Sequence, residues 1–262
     1  MLLCIDIGNT HTHFAWVAPG GQQQAHGQGE IPTGDLPRLP TAISAQFPSV
    51  RPLLGIAICS VVPAATPLAI AALQSLNLPI WQIDHQSNLG VPLHYPQPRE
   101  IGQDRLANTA GAIALGPPPA IVIDLGTAVT FDIITRRGGY EGGIIAPGPA
   151  LMTRYLHEHT AQLPLVEDVI TPVYSAIGKS TVDAMRIGAV LGFVGSVQAC
   201  LDRVLLELEA AGEPPARVIT SGGASTVVAG RLTQLTTDIP DLTLRGLAAA
   251  WALNHQPPVP SS

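Results

Sequence analysis

Leu2-Leu3-Cys4-Ile5-Asp6-Ile7-Gly8-Asn9-Thr10 stands at the start of the chain, and Ala120-Ile121-Val122-Ile123-Asp124-Leu125-Gly126-Thr127-Ala128 says nearly the same thing at its middle. Each copy is an apolar run, then Asp-apolar-Gly with Thr close behind. β-prone residues follow: Phe14-Ala15-Trp16-Val17 in one copy, Val129-Thr130-Phe131-Asp132-Ile133-Ile134 in the other. A buried strand that ends in Asp and turns at Gly into a second strand is a hairpin able to hold something at its tip. Glycine lets backbone N–H groups approach an anion, and the carboxylate can hold a hydrated cation. Two such hairpins suggest two similar domains whose tips face one nucleotide.

Composition bounds the remaining choices. A chain of 262 residues accommodates one large domain or two of modest size, and the repeat favours two. Hydrophobic content of 46% against 12% charged residues supplies ample core. The net charge is −6 and Lys179 is the only lysine, so the basic patches of a nucleic-acid binder are not there. The longest apolar candidate for a membrane span, Ile187 to Val197, is short and rich in glycine. The N-terminus has no basic flank of the signal-peptide kind. Cys4, Cys59 and Cys200 are widely spaced in apolar segments and read as reduced core thiols. A cytoplasmic protein is expected.

Strand and helix patterns alternate, which argues for an α/β architecture. Gly27 to Pro40 reads as a loop with a short strand, Leu53 to Val61 as a buried strand, Thr66 to Leu76 as a helix and Ile80 to Ile83 as a short strand. Asp104 to Leu115 is helical in pattern, and Gly116-Pro117-Pro118-Pro119 then breaks the chain. The expected division is therefore 1–116, 117–256 and a tail over 257–262. In the second half, helix is expected over Thr181 to Gly212, a strand over Arg217 to Thr220, and a last helix over Leu244 to Asn254.

Several residues could carry chemistry. At the first tip, Gly8 permits close approach, Asn9, Thr10 and Thr12 are donors, and Asp6 suits water-mediated Mg²⁺; the same residues could also form an ordinary hairpin turn. Gly178-Lys179-Ser180 looks like the end of a P-loop, but the first glycine of that pattern would fall at Val173. Gly102-Gln103-Asp104-Arg105 opens a helix. Asp104 there is either a plain helix-start carboxylate or a general base that takes a hydroxyl proton during phosphoryl transfer, with Arg105 clamping an anionic group. Gly142 to Pro149 could be a turn-rich loop or a place where backbone approaches a substrate. Ser221-Gly222-Gly223-Ala224 after a strand is a familiar setting for an adenosine-contacting turn. Of the histidines, only His157 and His159 are closely paired, and they lack partners at zinc-ligand spacing.

With these residues assembled, the chain resembles the type III pantothenate kinases of the acetate and sugar kinase, Hsp70 and actin superfamily. Five motifs carry the resemblance in order: Asp6-Ile7-Gly8-Asn9-Thr10; Gly102-Gln103-Asp104-Arg105 with Asn108; Asp124-Leu125-Gly126-Thr127-Ala128 with Thr130; Gly142-Gly143-Ile144 with Pro147-Gly148; and Ser180-Thr181 with Ala184 and Gly188. The resemblance implies two ribonuclease-H-like domains with mixed sheets flanked by helices. It also implies a homodimer with substrate near the interface, and phosphorylation of pantothenate by ATP with Mg²⁺ in coenzyme A biosynthesis.

Carried across, Asp6, Ile7, Gly8, Asn9, Thr10, His11, Thr12 and His13 would bind the ATP phosphates, joined by Thr127. Asp104 would be the base, while Tyr95, Gly102, Gln103, Asp104 and Arg105 would hold pantothenate. Thr181 would contact pantothenate from the partner subunit, and Asp124 would coordinate a monovalent cation, K⁺ or NH₄⁺. Several family members carry Lys or Arg where this chain has His11 and His13. A nucleotide-binding regulator, another kinase or phosphatase of the superfamily, and a filament-forming relative share the hairpins. The intact Asp6, Asp104, Arg105 and Asp124 argue against the first, and the Gly102-to-Arg105 segment against the second.

Overall fold

The computed structural model describes residues 1–46, 53–171 and 175–255; the tail expected over 257–262 and position 173 lie outside them. In chain order the elements are β1 (Leu2–Ile7), β2 (His11–Val17), β3 (His26–Pro32), α1 (Leu39–Gln46), β4 (Ile56–Ser60), α2 (Thr66–Leu73), β5 (Ile80–Gln82) and α3 (Gln103–Ala114). The chain continues through β6 (Ala120–Leu125), β7 (Ala128–Thr135), β8 (Gly139–Pro147), α4 (Pro149–Glu158), α5 (Thr181–Ala210), β9 (Arg217–Ser221), α6 (Ser225–Val228), β10 (Thr236–Asp238) and α7 (Leu242–Asn254). We keep 1–116 and 117–256 as the proposed ranges of the two domains along the chain. In packing, the chain forms two compact units: one takes its described residues from Met1–Pro117, Arg137–Glu141 and Asp241–Ser262, the other from Pro118–Arg136 and Gly142–Pro240.

The repeated phrase is a repeated fold. In the first unit the strands are ordered β3-β2-β1-β4-β5, and in the second β8-β7-β6-β9-β10, so each strand has a counterpart in the same place. β1 pairs antiparallel with β2 and parallel with β4, just as β6 pairs with β7 and β9. Asp6 and Asp124 therefore end equivalent central strands. Both faces of the first sheet are covered, which is why β1 is apolar on both faces from Leu2 to Ile5. Leu3, Ile5 and Ile7 face one core with Leu36, Leu39 and Leu73, whereas Leu2 and Cys4 face the other with Leu106, Leu247 and Trp251.

That second core explains the position of α3. α7 follows the second unit in sequence yet packs in the first, across α3. A Cβ on Gly246 would overlap the Ala107 carbonyl, and one on Gly111 would lie 2.9 Å from Leu242 O, so the two helices touch through glycines. Thr243 Oγ1 donates to Asn108 Oδ1 at 2.8 Å in the same crossing. Buried Arg245 donates to the Gly21 and Gln22 carbonyls at 2.9 and 2.7 Å, tying down the loop after β2.

In the second unit, α5 lays Val190, Phe193, Val197, Leu201, Val204 and Leu208 at helical spacing against Ile121, Ile123 and Leu125. The short apolar stretch expected at Ile187 to Val197 is in fact part of this 30-residue helix. By length and a mean hydropathy of 1.5, α5 is the one helix among the described residues long and apolar enough to cross a membrane, and its buried stripe belongs to the core. Two further expectations are corrected. Gly27 to Pro40 is not mainly loop, because β3, a 3-10 segment at Thr33–Arg38 and the start of α1 occupy it. Gly142 to Pro149 is mostly β8 and the start of α4; β8 is an edge strand, where Gly and Pro are tolerated.

Candidate active site

At the first tip, Ile7 and Thr12 close the hydrogen-bonded hairpin, and the Gly8 N–H donates across the turn to His11 O at 3.0 Å. Asn9, Thr10, His11 and His13 are exposed, while Ile7 and Thr12 are buried. The alternation of β2 sends the Thr12 side chain inward, so its hydroxyl is not presented at the tip as expected. It lies 3.1 Å from Thr33 Oγ1, which donates to Gly8 O at 2.7 Å, and so braces the turn from behind. Asp6 Oδ1 accepts from the Cys59 thiol at 3.2 Å. Burial and the nearby Asp6 and Asp104 carboxylates push the Cys59 thiol well up, and burial does the same to Cys4, as suits the core thiols expected; none of the three cysteines is in a disulfide. His13 Nδ1 stands 3.3 Å from Glu30 Oε2, yet burial holds its pKa below the usual value against the pull of Glu30.

The helix start at Gly102-Gln103-Asp104-Arg105 belongs to the same unit. Gly102 caps α3 with φ −57° and ψ 140°, and Asp104 Oδ1 folds back to accept the Arg105 N–H at 2.8 Å. A Cβ on Gly102 would lie 2.5 Å from that oxygen, so glycine makes room for the carboxylate. Burial raises the Asp104 pKa, and the Arg105 N–H and guanidinium offset part of the rise. A carboxylate moved upward from the ordinary Asp range is the better proton acceptor near neutral pH.

Arg105 is 8% exposed, and its guanidinium carbon lies 5.8 Å from the centroid of the Tyr140 ring, within cation–π range. Tyr95 contacts the same ring at 6.2 Å between centroids. The structure thus brings Tyr95 and Arg105 together around a residue that the sequence did not single out. Tyr140 is fully buried in the first unit, where the start of β8 forms a bridge to Leu93: His94 N–H donates to Tyr140 O at 2.8 Å and Tyr140 N–H to Pro92 O at 3.0 Å. Nothing in the spacing of Arg136-Arg137-Gly138-Gly139-Tyr140 signals that pairing.

In the second unit the tip is one residue shorter, with Leu125 paired to Val129 and Gly126 N–H donating to Ala128 O at 3.0 Å. Two glycines press on it. Gly222 has φ +87°, and a Cβ there would lie 2.6 Å from Asp124 Oδ1 and from Leu125 O. A Cβ on Gly148 would lie 2.6 Å from Thr127 O, and the Gly148 N–H donates to that oxygen at 3.0 Å. Gly148 and Gly222 thus let the backbone close on the hairpin tip. Thr181 starts α5 behind Ser180, whose Oγ accepts the Asp183 N–H at 3.1 Å. It lines an apolar groove of about 430 Å³ with Met152, Leu156, Leu163 and Met185. Gly178 packs beneath this helix start, 2.5 Å from Ala184 N if it carried a Cβ, which accounts for the false P-loop. His157 and His159 are exposed and hydrogen bond to backbone carbonyls.

Among the described residues no three His, Cys, Asp or Glu side chains cluster as a metal cage. The family model described as type III pantothenate kinase matches residues 2–203. A type III pantothenate kinase from Methylacidiphilum infernorum is 39% identical over 246 residues, covering 94% of this chain and 86% of the relative. Among solved structures, a conserved Campylobacter jejuni protein described as a Baf family transcriptional activator superposes with a TM-score of 0.60 at 16% identity, over 95% of this chain and 96% of that one. A ROK family glucokinase from Streptomyces griseus, in complex with glucose and AMPPNP, gives 0.54 at 16% identity over 94% and 97%. These two likenesses concern the fold, that of the actin-like ATPases.

Proposed function

This chain belongs to the type III pantothenate kinase family, and on that premise we propose how its residues carry the reaction. The reaction is the ATP-dependent phosphorylation of pantothenate in coenzyme A biosynthesis. Asp104 accepts the proton of the pantothenate hydroxyl as that oxygen bonds to the γ-phosphorus; the bond from phosphorus to the β–γ bridging oxygen breaks and ADP leaves. The observation that carries this assignment is the desolvated Asp104 carboxylate at the start of α3, its pKa raised toward the working range.

Arg105 pairs with the pantothenate carboxylate. A buried guanidinium resting on an aromatic ring is pre-oriented for such a pair, and Tyr95 and the backbone of Gly102 and Gln103 complete the hold. The exposed residues Asn9, Thr10, His11 and His13, with Gly8 and the backbone of Ile7, take the ATP phosphates, and Thr12 stiffens their turn. Thr127 takes the corresponding part at the second tip, by the likeness of the two hairpins. Asp6 would hold Mg²⁺, and that ion, when bound, would neutralise charge on the phosphates. Asp124 would hold the monovalent cation, K⁺ or NH₄⁺, which would add positive charge that a chain with one lysine lacks.

We also propose a homodimer in which Thr181 of the partner subunit reaches pantothenate. The apolar groove and the exposed Leu156, Val182 and Leu191 on α4 and α5 support it. A cytoplasmic location is supported by three cysteines outside any disulfide. The test is a coupled ADP-release assay with ATP, Mg²⁺, K⁺ and pantothenate, omitting each in turn, beside light scattering for mass. Turnover that needs all four is expected. ATP binding without pantothenate-dependent ADP release would refute the assignment, and a monomer with full activity would refute the shared site.

A further inference from the structure

α3 begins beside the edge of the first sheet where β4 and β5 end, and one side chain fastens it there. Gln103 is the first residue of the helix. Its carboxamide oxygen accepts two hydrogen bonds, from the Ser60 backbone N–H at 2.9 Å and from Gln82 Nε2 at 3.0 Å. Ser60 and Gln82 are the last residues of β4 and β5. Ser60 also stands in register with Ile7 on β1, and the next residue, Val61, donates its N–H to Ile7 O at 3.1 Å. The end of β4 that Gln103 grips is therefore hydrogen-bonded to β1 at the root of the hairpin of Asp6 to His13. The Ser60 hydroxyl accepts from Thr66 Oγ1 at 2.8 Å, so the start of α2 is joined to the same point.

Glutamine is mostly a surface residue, and a polar side chain at the first helical position has little reason to turn inward. Here its oxygen meets donors from two different strands, which fixes the rotation of the first turn. Asp104 is the next residue, and its carboxylate moves with that turn. We propose that Gln103 is a positioning residue for phosphoryl transfer, holding the first turn of α3, and with it the Asp104 carboxylate, at a set offset from the phosphate-binding hairpin. This rests on the assignment of Asp104 as the base and deepens it.

Three variants of the full chain test it. Gln103→Met keeps length but removes the acceptor, Gln82→Met removes one donor, and Gln103→Glu keeps an oxygen that can accept both N–H groups. Misplacing a reacting group by about 1 Å costs on the order of 10²-fold, so Gln103→Met is expected to lower kcat by about that factor while KM for ATP stays within about twofold. Gln82→Met is expected to fall between it and the wild type, and Gln103→Glu to recover most of kcat. The titratable and charged groups about Asp104 are Arg105 on α3, Cys59 at the end of β4 and, beyond it, Asp6 on β1. Adding a carboxylate at 103 moves the acid limb of kcat to higher pH, which loss of mere packing would not do. Wild-type kcat in Gln103→Met would overturn the proposal, as would equal impairment of Met and Glu variants with an unmoved limb. Should Gln103→Met not fold, the pair Gln82→Met and Gln103→Glu decides. Asp104→Asn separates the two assignments: an active Asp104→Asn overturns the base role and this proposal together, whereas a dead one beside a fully active Gln103→Met overturns positioning alone.

Discussion

Gly102→Ala is the most economical probe of the proposed base. The backbone at 102 has φ −57° and ψ 140°, which alanine adopts without strain, so the change adds only one methyl group. That methyl would stand 2.5 Å from Asp104 Oδ1. Ordinary separation at such a contact begins near 3.4 Å, so the oxygen must retreat by roughly 0.9 Å. The obstructing atom is the end of a side chain, not backbone, so the fold yields cheaply and stability should change by no more than about 1 kcal/mol. The carboxylate, however, leaves its place against the Arg105 N–H. A displacement of that size costs on the order of 10²-fold in rate, or about 2.7 kcal/mol of barrier. Steady-state ADP release should show kcat down by that order, with ATP affinity measured by calorimetry unchanged and the melting temperature nearly so. Wild-type kcat in a folded Gly102→Ala protein would refute the claim that the exact seat of Asp104 matters.

Asp104→Asn should lower turnover by at least about 10²-fold, the usual worth of a general base, and retained activity would remove Asp104 from that role. Its effect on stability has a definite sign. The folded-state pKa is raised, so the group favours folding below the ordinary value of about 3.9 and that contribution is lost as pH rises through the folded pKa. At neutral pH the Asn protein should therefore melt no lower than the wild type, and a clear fall in melting temperature would contradict the desolvation. For the same reason the acid limb of wild-type kcat should lie above the ordinary Asp value, and a limb at or below that value would oppose it. Gly222→Ala forces a side chain onto φ +87° and into Asp124 and Leu125; a cost of about 2 kcal/mol or more should lower the melting temperature by roughly 5 °C, and an unchanged melt would disprove the tight seat of that tip. Exchanging K⁺ for Na⁺ should slow the enzyme, and equal rates would undercut the cation at Asp124.

The parts of this molecule legible in the sequence are those built from local pattern. The doubled Asp-apolar-Gly phrase specified two equivalent hairpins because its apolar run, its turn glycine and its β-branched continuation all act within a dozen residues. The start of α3 was legible within a residue for the same reason. What escaped depends on partners far away in sequence. Tyr140 gains its place from a bridge to Leu93, and Gln103 acquires its role from donors on β4 and β5. Gly148 and Gly222 look like ligand loops locally, and only the packed hairpin tips show that each glycine accommodates backbone. Thr12 points inward because its direction is set by the pairing of β2, not by its chemistry. β8 hid behind its glycines, which an edge strand tolerates and an interior one would not.

The crossing of α3 by α7 also sets a timetable. The ribosome makes the first unit's sheet early, then the whole second unit, and only afterwards Leu242 to Asn254, which complete the core behind the base helix. Until then the faces of Leu106, Ala107 and Ala110 have no α7 to bury them, and at about 5–20 residues per second the nascent chain spends several seconds in that state. The earlier-made unit is thus finished last. A product broken off before Leu242 lacks the helix that packs behind α3.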